Sequence, residues 1–138
     1  MDTTETHAMR AIPLFADLSD EDLEAVSQVG HPRSFSAGEA IVEQGTKGDA
    51  MYVMLGGRAE VDVGGRFHVL KAGDFFGEMA LLDGGPRTAT VTSTTPIKLY
   101  ALTEWVFRGL LVEHPTIAMR TLETMAARLR GATKVATA

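Results

Sequence analysis

The spacing of apolar residues near the amino terminus predicts a helix. Leu23 and Val26 recur at helical spacing, and Ser19 ahead of them is a residue type that caps helix amino termini. Three acidic residues follow Ser19, where they complement the helix dipole. We expect this helix to end at Gly30, which is followed by a histidine and a proline.

From residue 33 the pattern changes to short segments rich in β-branched and aromatic residues, separated by glycines. The expected strands cover residues 33–36, 40–43, 51–55, 58–63, 67–70, 88–95 and 97–102. Apolar and acidic residues alternate from residue 59 to 63, which predicts one buried face, with Glu60 and Asp62 towards water. The pairs at 56–57 and 64–65 predict tight hairpin turns, because glycine accepts the positive φ such turns need. We therefore predict a mostly β fold with flanking helices, built on an antiparallel barrel or roll.

The last part of the chain returns to helical spacing. Thr103 is a suitable helix cap, and Pro115 is typical of the first turn of a second helix that runs to about Arg130. The apolar stripe of that second helix consists of Ala118, Leu122, Met125 and Leu129. Such a narrow stripe packs on a partner helix or on the chain's own β-roll, and we favour the second.

Composition narrows the function classes. A chain of 138 residues with 45% hydrophobic and 22% charged residues is typical of one folded domain. The net charge of −5, with scattered basic residues, argues against binding nucleic acid. The sequence has no cysteine, so it forms no disulfide, and the redox compartment stays undetermined. It has no apolar run long enough to cross a membrane, so we expect a cytoplasmic protein without membrane insertion.

Residues 73–90 form the candidate binding stretch. Gly77 is followed by a few helix-forming residues that Gly84 and Pro86 stop, and a helix that begins after a glycine offers unpaired N–H groups to an anion. If the chain after Pro86 runs back as a strand, Arg87 can meet the same anion as a planar fork, and Thr88 can add a hydroxyl.

Glu78 needs a different partner, because a carboxylate repels an anion. A ribose hydroxyl donates a hydrogen bond to a carboxylate, so a nucleotide fits both groups. The alternative is a glutamate at a helix start that pairs with Arg87. Glu78 taken alone leaves both interpretations open.

The residues 76–81, Phe-Gly-Glu-Met-Ala-Leu, followed by Pro-Arg-Thr-Ala at 86–89, resemble the phosphate-binding cassette of the cyclic nucleotide-binding domain family. That family includes catabolite-activator-type regulators, regulatory subunits of cyclic-nucleotide-dependent kinases and cyclic-nucleotide-gated channels. Residues 13–18 and 44–53 resemble its first helix and its β-roll. The resemblance thus extends over about residues 12–130, and it implies a jelly-roll-like double-stranded β-helix.

The resemblance implies that Arg87 holds a cyclic phosphate, Glu78 the ribose 2′-hydroxyl and Thr88 a phosphate oxygen. The expected ligand-binding residues are Phe76, Gly77, Glu78, Met79, Ala80, Arg87, Thr88 and Ala89. The ligand is cAMP or cGMP, with cAMP favoured, although Thr88 is compatible with either purine. Thr133 lies where some relatives contact adenine from the lid helix, but a frayed tail is the favoured interpretation there.

We expect a flexible segment at 1–11, a cyclic nucleotide-binding domain at 12–130 and a tail at 131–138. Within the domain the β-roll covers about 33–102 and the C-terminal helices about 103–130. The predicted function is a signalling module, not an enzyme, without cofactor or metal, whose C-terminal helices move when ligand binds. These helices are also a possible surface for a homodimer or an effector protein. Because no DNA-binding unit follows Arg130, transcription control by this chain alone is not expected.

Two alternatives remain. The first is a β-roll without ligand that serves as an interaction or dimerisation module. The second is a cupin-like metal enzyme, which the sequence disfavours because its histidines are separated and form no His-x-His pair. These histidines are His7, His31, His68 and His114.

Overall fold

The computed structural model describes residues 9–131 and contains two four-stranded antiparallel sheets flanked by helices. The helices are a 3-10 turn at Pro13–Phe15, α1 at Asp20–Val29, α2 at Glu78–Asp83, α3 at Glu104–Glu113 and α4 at Pro115–Arg130. The strands are β1 at His31–Phe35, β2 at Ala40–Val42, β3 at Ala50–Gly56, β4 at Arg58–Val63, β5 at Arg66–Lys71, β6 at Phe75–Phe76, β7 at Thr90–Ser93 and β8 at Ile97–Thr103. The first sheet has the order β1-β8-β3-β6 and the second β2-β7-β4-β5. The prediction of an antiparallel β-roll with flanking helices is confirmed.

The predicted first helix, α1, begins and ends as its residues require. The Ser19 hydroxyl accepts a hydrogen bond from the Asp22 backbone N–H at 3.1 Å, which satisfies one of the free donors of the first turn. Leu23 and Val26 are fully buried. At Gly30 the backbone N–H donates to the Tyr100 hydroxyl at 3.2 Å, and a β-carbon there would lie 2.3 Å from the Tyr100 ring. The close approach of Tyr100 on β8 therefore requires glycine at the end of α1.

Alternate residues of β3 point into two buried clusters. Met51 and Val53 belong to the cluster that the first sheet forms with the helices. Tyr52 and Met54 belong to the cluster between the two sheets. The β3 strand is therefore buried on both faces, which places the adjoining β6 and α2 against the core.

The two glycine pairs behave differently. Gly64 and Gly65 both have positive φ and join β4 to β5 as a two-residue hairpin, as predicted. The prediction of a hairpin at 56–57 is wrong, because β3 and β4 lie in different sheets. Gly57 (φ 89°) is the connection between the sheets, and a β-carbon there would lie 2.4 Å from the Pro96 carbonyl oxygen.

The C-terminal helices begin where predicted, but two residues of the apolar stripe of α4 are exposed. The buried residues of α4 are Ile117 and Thr121. Leu122 and Leu129 are 59% and 74% exposed. Ala118 and Met125 are half-buried. The stripe therefore packs only in part on the rest of the domain, because the fully buried face of α4 is the neighbouring one.

Candidate functional site

The candidate site is organised by a turn between β6 and α2. Gly77 has φ 88°, a left-handed conformation that side-chain-bearing residues rarely adopt, and it lets the chain reverse from strand into helix. The short helix predicted after Gly77 is present and ends at Gly84, with φ 73°. The sequence did not predict β6, which has only two residues. Phe76 in that strand stacks on Tyr52 of β3, with ring centroids 5.3 Å apart.

Arg87 is buried, with 5% of its surface exposed. Its Nη1 donates to the Gly77 carbonyl at 2.8 Å, and its Nη2 donates to the Ala50 carbonyl at 2.5 Å. No carboxylate within residues 9–131 forms an ion pair with it. Burial lowers the pKa of Arg87, which indicates a desolvated charge. A buried cation without a direct anionic partner is energetically unfavourable unless a ligand supplies the anion.

The backbone around Arg87 is paired with a loop and does not continue a strand. Its N–H donates to the Thr46 carbonyl at 2.8 Å, and its carbonyl accepts from the Gly45 N–H at 2.9 Å. The expected strand at 88–95 begins only at Thr90. Gly48 in the same loop packs against the guanidinium, since a β-carbon there would lie 3.0 Å from the Arg87 Cζ. The loop therefore holds Arg87 against α2.

Glu78 is fully buried and pairs with Arg128. Arg128 Nη1 donates to Glu78 Oε1 at 2.6 Å, whereas Glu78 Oε2 is buried with no hydrogen-bond partner. Burial raises the pKa of Glu78, and the attraction of Arg128 opposes this rise. The alternative that Glu78 pairs with Arg87 is wrong, because the ion-pair partner comes from α4.

Thr88 and Ala89 complete the arrangement. The Thr88 hydroxyl oxygen is buried with no hydrogen-bond partner, and Ala89 is 2% exposed. These residues line a cleft, here called the cradle. Every expected ligand-binding residue except Glu78 lies in it. Its lining residues are Val42, Phe76, Gly77, Met79, Ala80, Arg87, Thr88, Ala89 and Val91. Its free volume is about 10 Å³, room for about one water molecule. The cradle is narrow in this conformation, and an anion larger than water fits only if its walls move.

Glu78 lies beside the cradle in a larger groove between α2 and α4. The groove has a volume of about 340 Å³ and is lined by Glu78, Met79, Leu122, Met125, Ala126, Arg128 and Leu129. Met79 lines both spaces, so the cradle and the groove adjoin. Apart from Glu78 and Arg128, the lining of the groove is apolar.

Sequence reasoning missed Arg128, the partner of Glu78. Its guanidinium also donates to the Phe75 carbonyl and lies 4.9 Å from the Phe75 ring centroid. Arg128 is one of two arginines in the last turn of α4, a position that suits the helix dipole and gives no separate signal. Only the fold brings it to the start of α2.

Within residues 9–131 no group of His, Asp and Glu side chains is arranged to hold a metal ion. None of the helices in that range is long and apolar enough to span a membrane. His7 and Thr133 lie outside the described residues.

The sequence is similar to a known domain family and to proteins that contain that domain. A family model described as the cyclic nucleotide-binding domain matches residues 32–114. The chain is 38% identical over 121 residues to a cyclic nucleotide-gated potassium channel of Rhizobium etli, covering 88% of this chain and 34% of the channel. It is 36% identical over 106 residues to a cAMP-dependent protein kinase regulatory subunit of Aspergillus fumigatus, covering 75% of this chain and 26% of the subunit. The chain thus spans about a third or less of these relatives.

Solved structures give the same fold. The Thermus thermophilus catabolite activator protein superimposes with a TM-score of 0.77 at 31% identity, over 88% of this chain and 60% of that protein. The regulatory domain of Toxoplasma gondii PKA, solved with cAMP, superimposes with a TM-score of 0.67 at 28% identity, over 79% of this chain and 45% of that one.

Proposed function

The chain belongs to the cyclic nucleotide-binding domain family, and we propose that it is a regulatory domain that binds a cyclic nucleotide, cAMP in preference to cGMP, around Arg87. The observation that carries the proposal is the buried Arg87 guanidinium, which lacks an ion-pair partner among residues 9–131. Two of its five N–H groups bond to backbone carbonyls, and the others are available to a phosphate.

Two further buried polar atoms support a ligand that carries both a phosphate and a ribose. The Thr88 hydroxyl has no partner and lies next in sequence to Arg87, so it donates to a phosphate oxygen. The Glu78 Oε2 has no partner either and accepts a hydrogen bond from the ribose 2′-hydroxyl. Buried polar atoms normally have hydrogen-bond partners, and one cyclic nucleotide supplies both.

The remaining expected ligand-binding residues form the walls. The backbone N–H groups near Gly77 and Ala89 face the phosphate, whereas Phe76, Met79 and Ala80 line the cradle. In this proposal the base occupies the groove between α2 and α4. An apolar groove favours adenine over guanine, because guanine carries more polar groups that lose water on binding. The relatives named for cAMP support the same preference.

The narrowness of the cradle supports movement of the C-terminal helices. In the proposed pose the phosphate enters the cradle, whose free volume is about 10 Å³, so the cradle walls, which include the start of α2, move apart when the ligand binds. Because α4 is tied to α2 through Arg128 and Glu78, the shift changes the position of α4. A ligand that favours one of two helix arrangements then transmits a signal without any chemistry.

The exposed stripe of α4 offers a second candidate function, an interaction or dimerisation module that works without ligand. Leu122 and Leu129 are exposed and available to a second copy or an effector protein. We place the protein in the cytoplasm in either case. Nucleotide that copurifies with the protein, seen by ultraviolet absorbance after denaturation, contradicts the ligand-free candidate.

The test is calorimetric titration of cAMP and cGMP into the wild type and Arg87→Ala. We expect the wild type to bind both, cAMP more tightly. Loss of the charged hydrogen bonds to the phosphate costs about 2–3 kcal/mol, roughly a 30- to 150-fold weaker affinity. The matched control is Arg66→Ala on β5, an exposed arginine outside the cradle. A folded wild type that binds neither nucleotide contradicts the proposal.

A further inference from the structure

Arginines from both C-terminal helices hold the short helix α2, one at each end. Arg128 of α4 pairs with Glu78 at the start of α2. Arg108 of α3 reaches the other end, where its Nη2 donates to the Leu81 carbonyl at 2.6 Å and contacts the Leu82 carbonyl at 3.4 Å. The cradle is thus connected to α3 and α4 by two separate polar links.

The link through Arg108 uses carbonyls that α2 itself leaves free. The carbonyls in the last turn of a helix have no N–H ahead of them to accept from. The last backbone bond of α2 runs from the Gly84 N–H to the Ala80 carbonyl at 3.1 Å, one residue before Leu81. A guanidinium at this end also complements the negative end of the helix dipole. Arg108 therefore supplies a C-terminal cap to α2 from another helix.

The position of the Arg108 guanidinium is fixed by its own helix. Its Nε donates to Glu104 Oε1 at 3.2 Å, one turn earlier in α3. On the inner side of α3, Phe107 and Leu110 share a buried cluster with Leu81. The end of α2 therefore contacts α3 through a directional hydrogen bond above an apolar base.

We propose that Arg108 is the positioning residue that passes movement of α2 on to α3, an inference that rests on the proposed function. Arg108 lines neither the cradle nor the adjoining groove, so it has no place in ligand contact. When ligand displaces α2, the bond to the Leu81 carbonyl draws α3 with it. Without that bond, apolar contacts alone join the two helices, and such contacts allow sliding because they are not directional.

The test separates ligand affinity from helix movement. The chain has no cysteine, so Val112→Cys on α3 and Phe67→Cys on β5, both at exposed positions, introduce a unique pair of spin-label sites. In this background cAMP affinity is measured by calorimetry and the label distance by electron paramagnetic resonance. Arg108→Gln is compared with Arg130→Gln, an exposed arginine on α4. Glu104→Gln, which keeps the bond to α2, and Arg108→Lys, which keeps the charge, complete the set.

We expect saturating cAMP to change the label distance in the parent protein, which carries only the two cysteines. The Arg130→Gln and Glu104→Gln variants should show the same change. Arg108→Gln should keep its cAMP affinity within about fivefold, the low end of allosteric coupling factors, and lose most of the distance change. Arg108→Lys should recover part of it. Thermal unfolding of each variant establishes that a lost response is not a lost fold.

Three results overturn the inference. A full distance change in Arg108→Gln means that apolar contacts suffice. A loss of affinity as large as that of Arg87→Ala means that Arg108 belongs to the binding site. No distance change in the parent protein despite cAMP binding means that there is no movement for Arg108 to transmit. Absence of cAMP binding in the parent protein contradicts the proposed function itself, which distinguishes the two failures.

Discussion

Arg128 Nη1 lies 2.6 Å from Glu78 Oε1, and this ion pair joins the last turn of α4 to the first residue of α2. Glu78 is fully buried, and the Arg128 side chain is 18% exposed. The pair occupies one carboxylate oxygen and leaves the other without a partner. In the proposed complex the same carboxylate thus binds the C-terminal helix and the ribose at once.

Arg128→Gln should weaken cyclic nucleotide binding. Without the guanidinium, the negative charge of Glu78 is no longer offset near the phosphate, and the carboxylate loses the bond that orients it. Removing one partner of a buried ion pair costs about 3–5 kcal/mol of stability, so Arg128→Gln should unfold more readily, and we expect weaker cAMP binding by calorimetry. Arg130→Gln in the same helical turn is the control. Tighter binding by Arg128→Gln would mean that Arg128 competes with the ribose for Glu78.

The buried carboxylate of Glu78 should make stability depend on pH. Burial raises its pKa above the ordinary value of 4.5, and Arg128 does not fully offset this rise. The folded state therefore favours the protonated form, whose contribution to stability is present below pH 4.5 and is lost as pH rises through the raised pKa. We predict that Glu78→Gln, which cannot ionise, has a higher free energy of unfolding than the wild type at neutral pH. Urea unfolding without ligand should show this difference shrinking as the pH falls towards 4.5. A difference that grows on acidification would contradict the prediction.

Local sequence patterns identify residues whose partners are near in sequence and miss residues whose partners are distant. Ser19 and Thr103 were identified as helix caps because a cap acts on N–H groups within three residues of itself. Arg108 and Arg128 were missed because their partners lie 27 and 50 residues away in sequence. Spacing within one helix does not encode such contacts.

The wrong hairpin and the stripe that packs only in part have a related cause. A glycine pair predicts a positive φ, and Gly57 has one, but whether the next strand pairs back or joins another sheet depends on long-range packing. The apolar stripe of α4 was likewise identified, but the pattern did not show which face of the helix meets the core. The residues that face the core are Ile117 and Thr121. The turn and the short helix of the cassette were predicted correctly, because both depend on residues that are contiguous in the sequence.

Gly77→Ala should impair ligand binding, whereas Gly84→Ala should affect stability alone. Both glycines have positive φ, so each alanine adds about 1–2 kcal/mol of backbone strain. A β-carbon at Gly77 would also lie 2.5 Å from Arg87 Nη1, whereas none of the surrounding atoms lies within 4 Å of one at Gly84. We expect both variants to unfold at lower denaturant concentration, and only Gly77→Ala to lose cAMP affinity in calorimetry. Equal affinities for the two variants would mean that Arg87 adapts without loss.

Thr88→Val should change stability and affinity in opposite directions. In the ligand-free protein the Thr88 hydroxyl is buried with no hydrogen-bond partner, and burial of such a group costs about 1–3 kcal/mol. Valine has nearly the same shape and no hydroxyl, so the free energy of unfolding without ligand should rise by up to that amount. In the complex the hydroxyl donates to a charged phosphate oxygen, a bond that contributes about 1.5–3 kcal/mol, so cAMP affinity should fall roughly 10- to 150-fold.

Thr90→Val is the matched control, because the Thr90 hydroxyl accepts from the Gln44 N–H at 3.0 Å. That variant should lose stability and keep its affinity. Denaturant unfolding without ligand and calorimetry with cAMP measure the two effects separately. If Thr88→Val gains stability and keeps full affinity, the hydroxyl is merely a tolerated defect of the core; if it loses both, the hydroxyl already has a partner in the ligand-free protein.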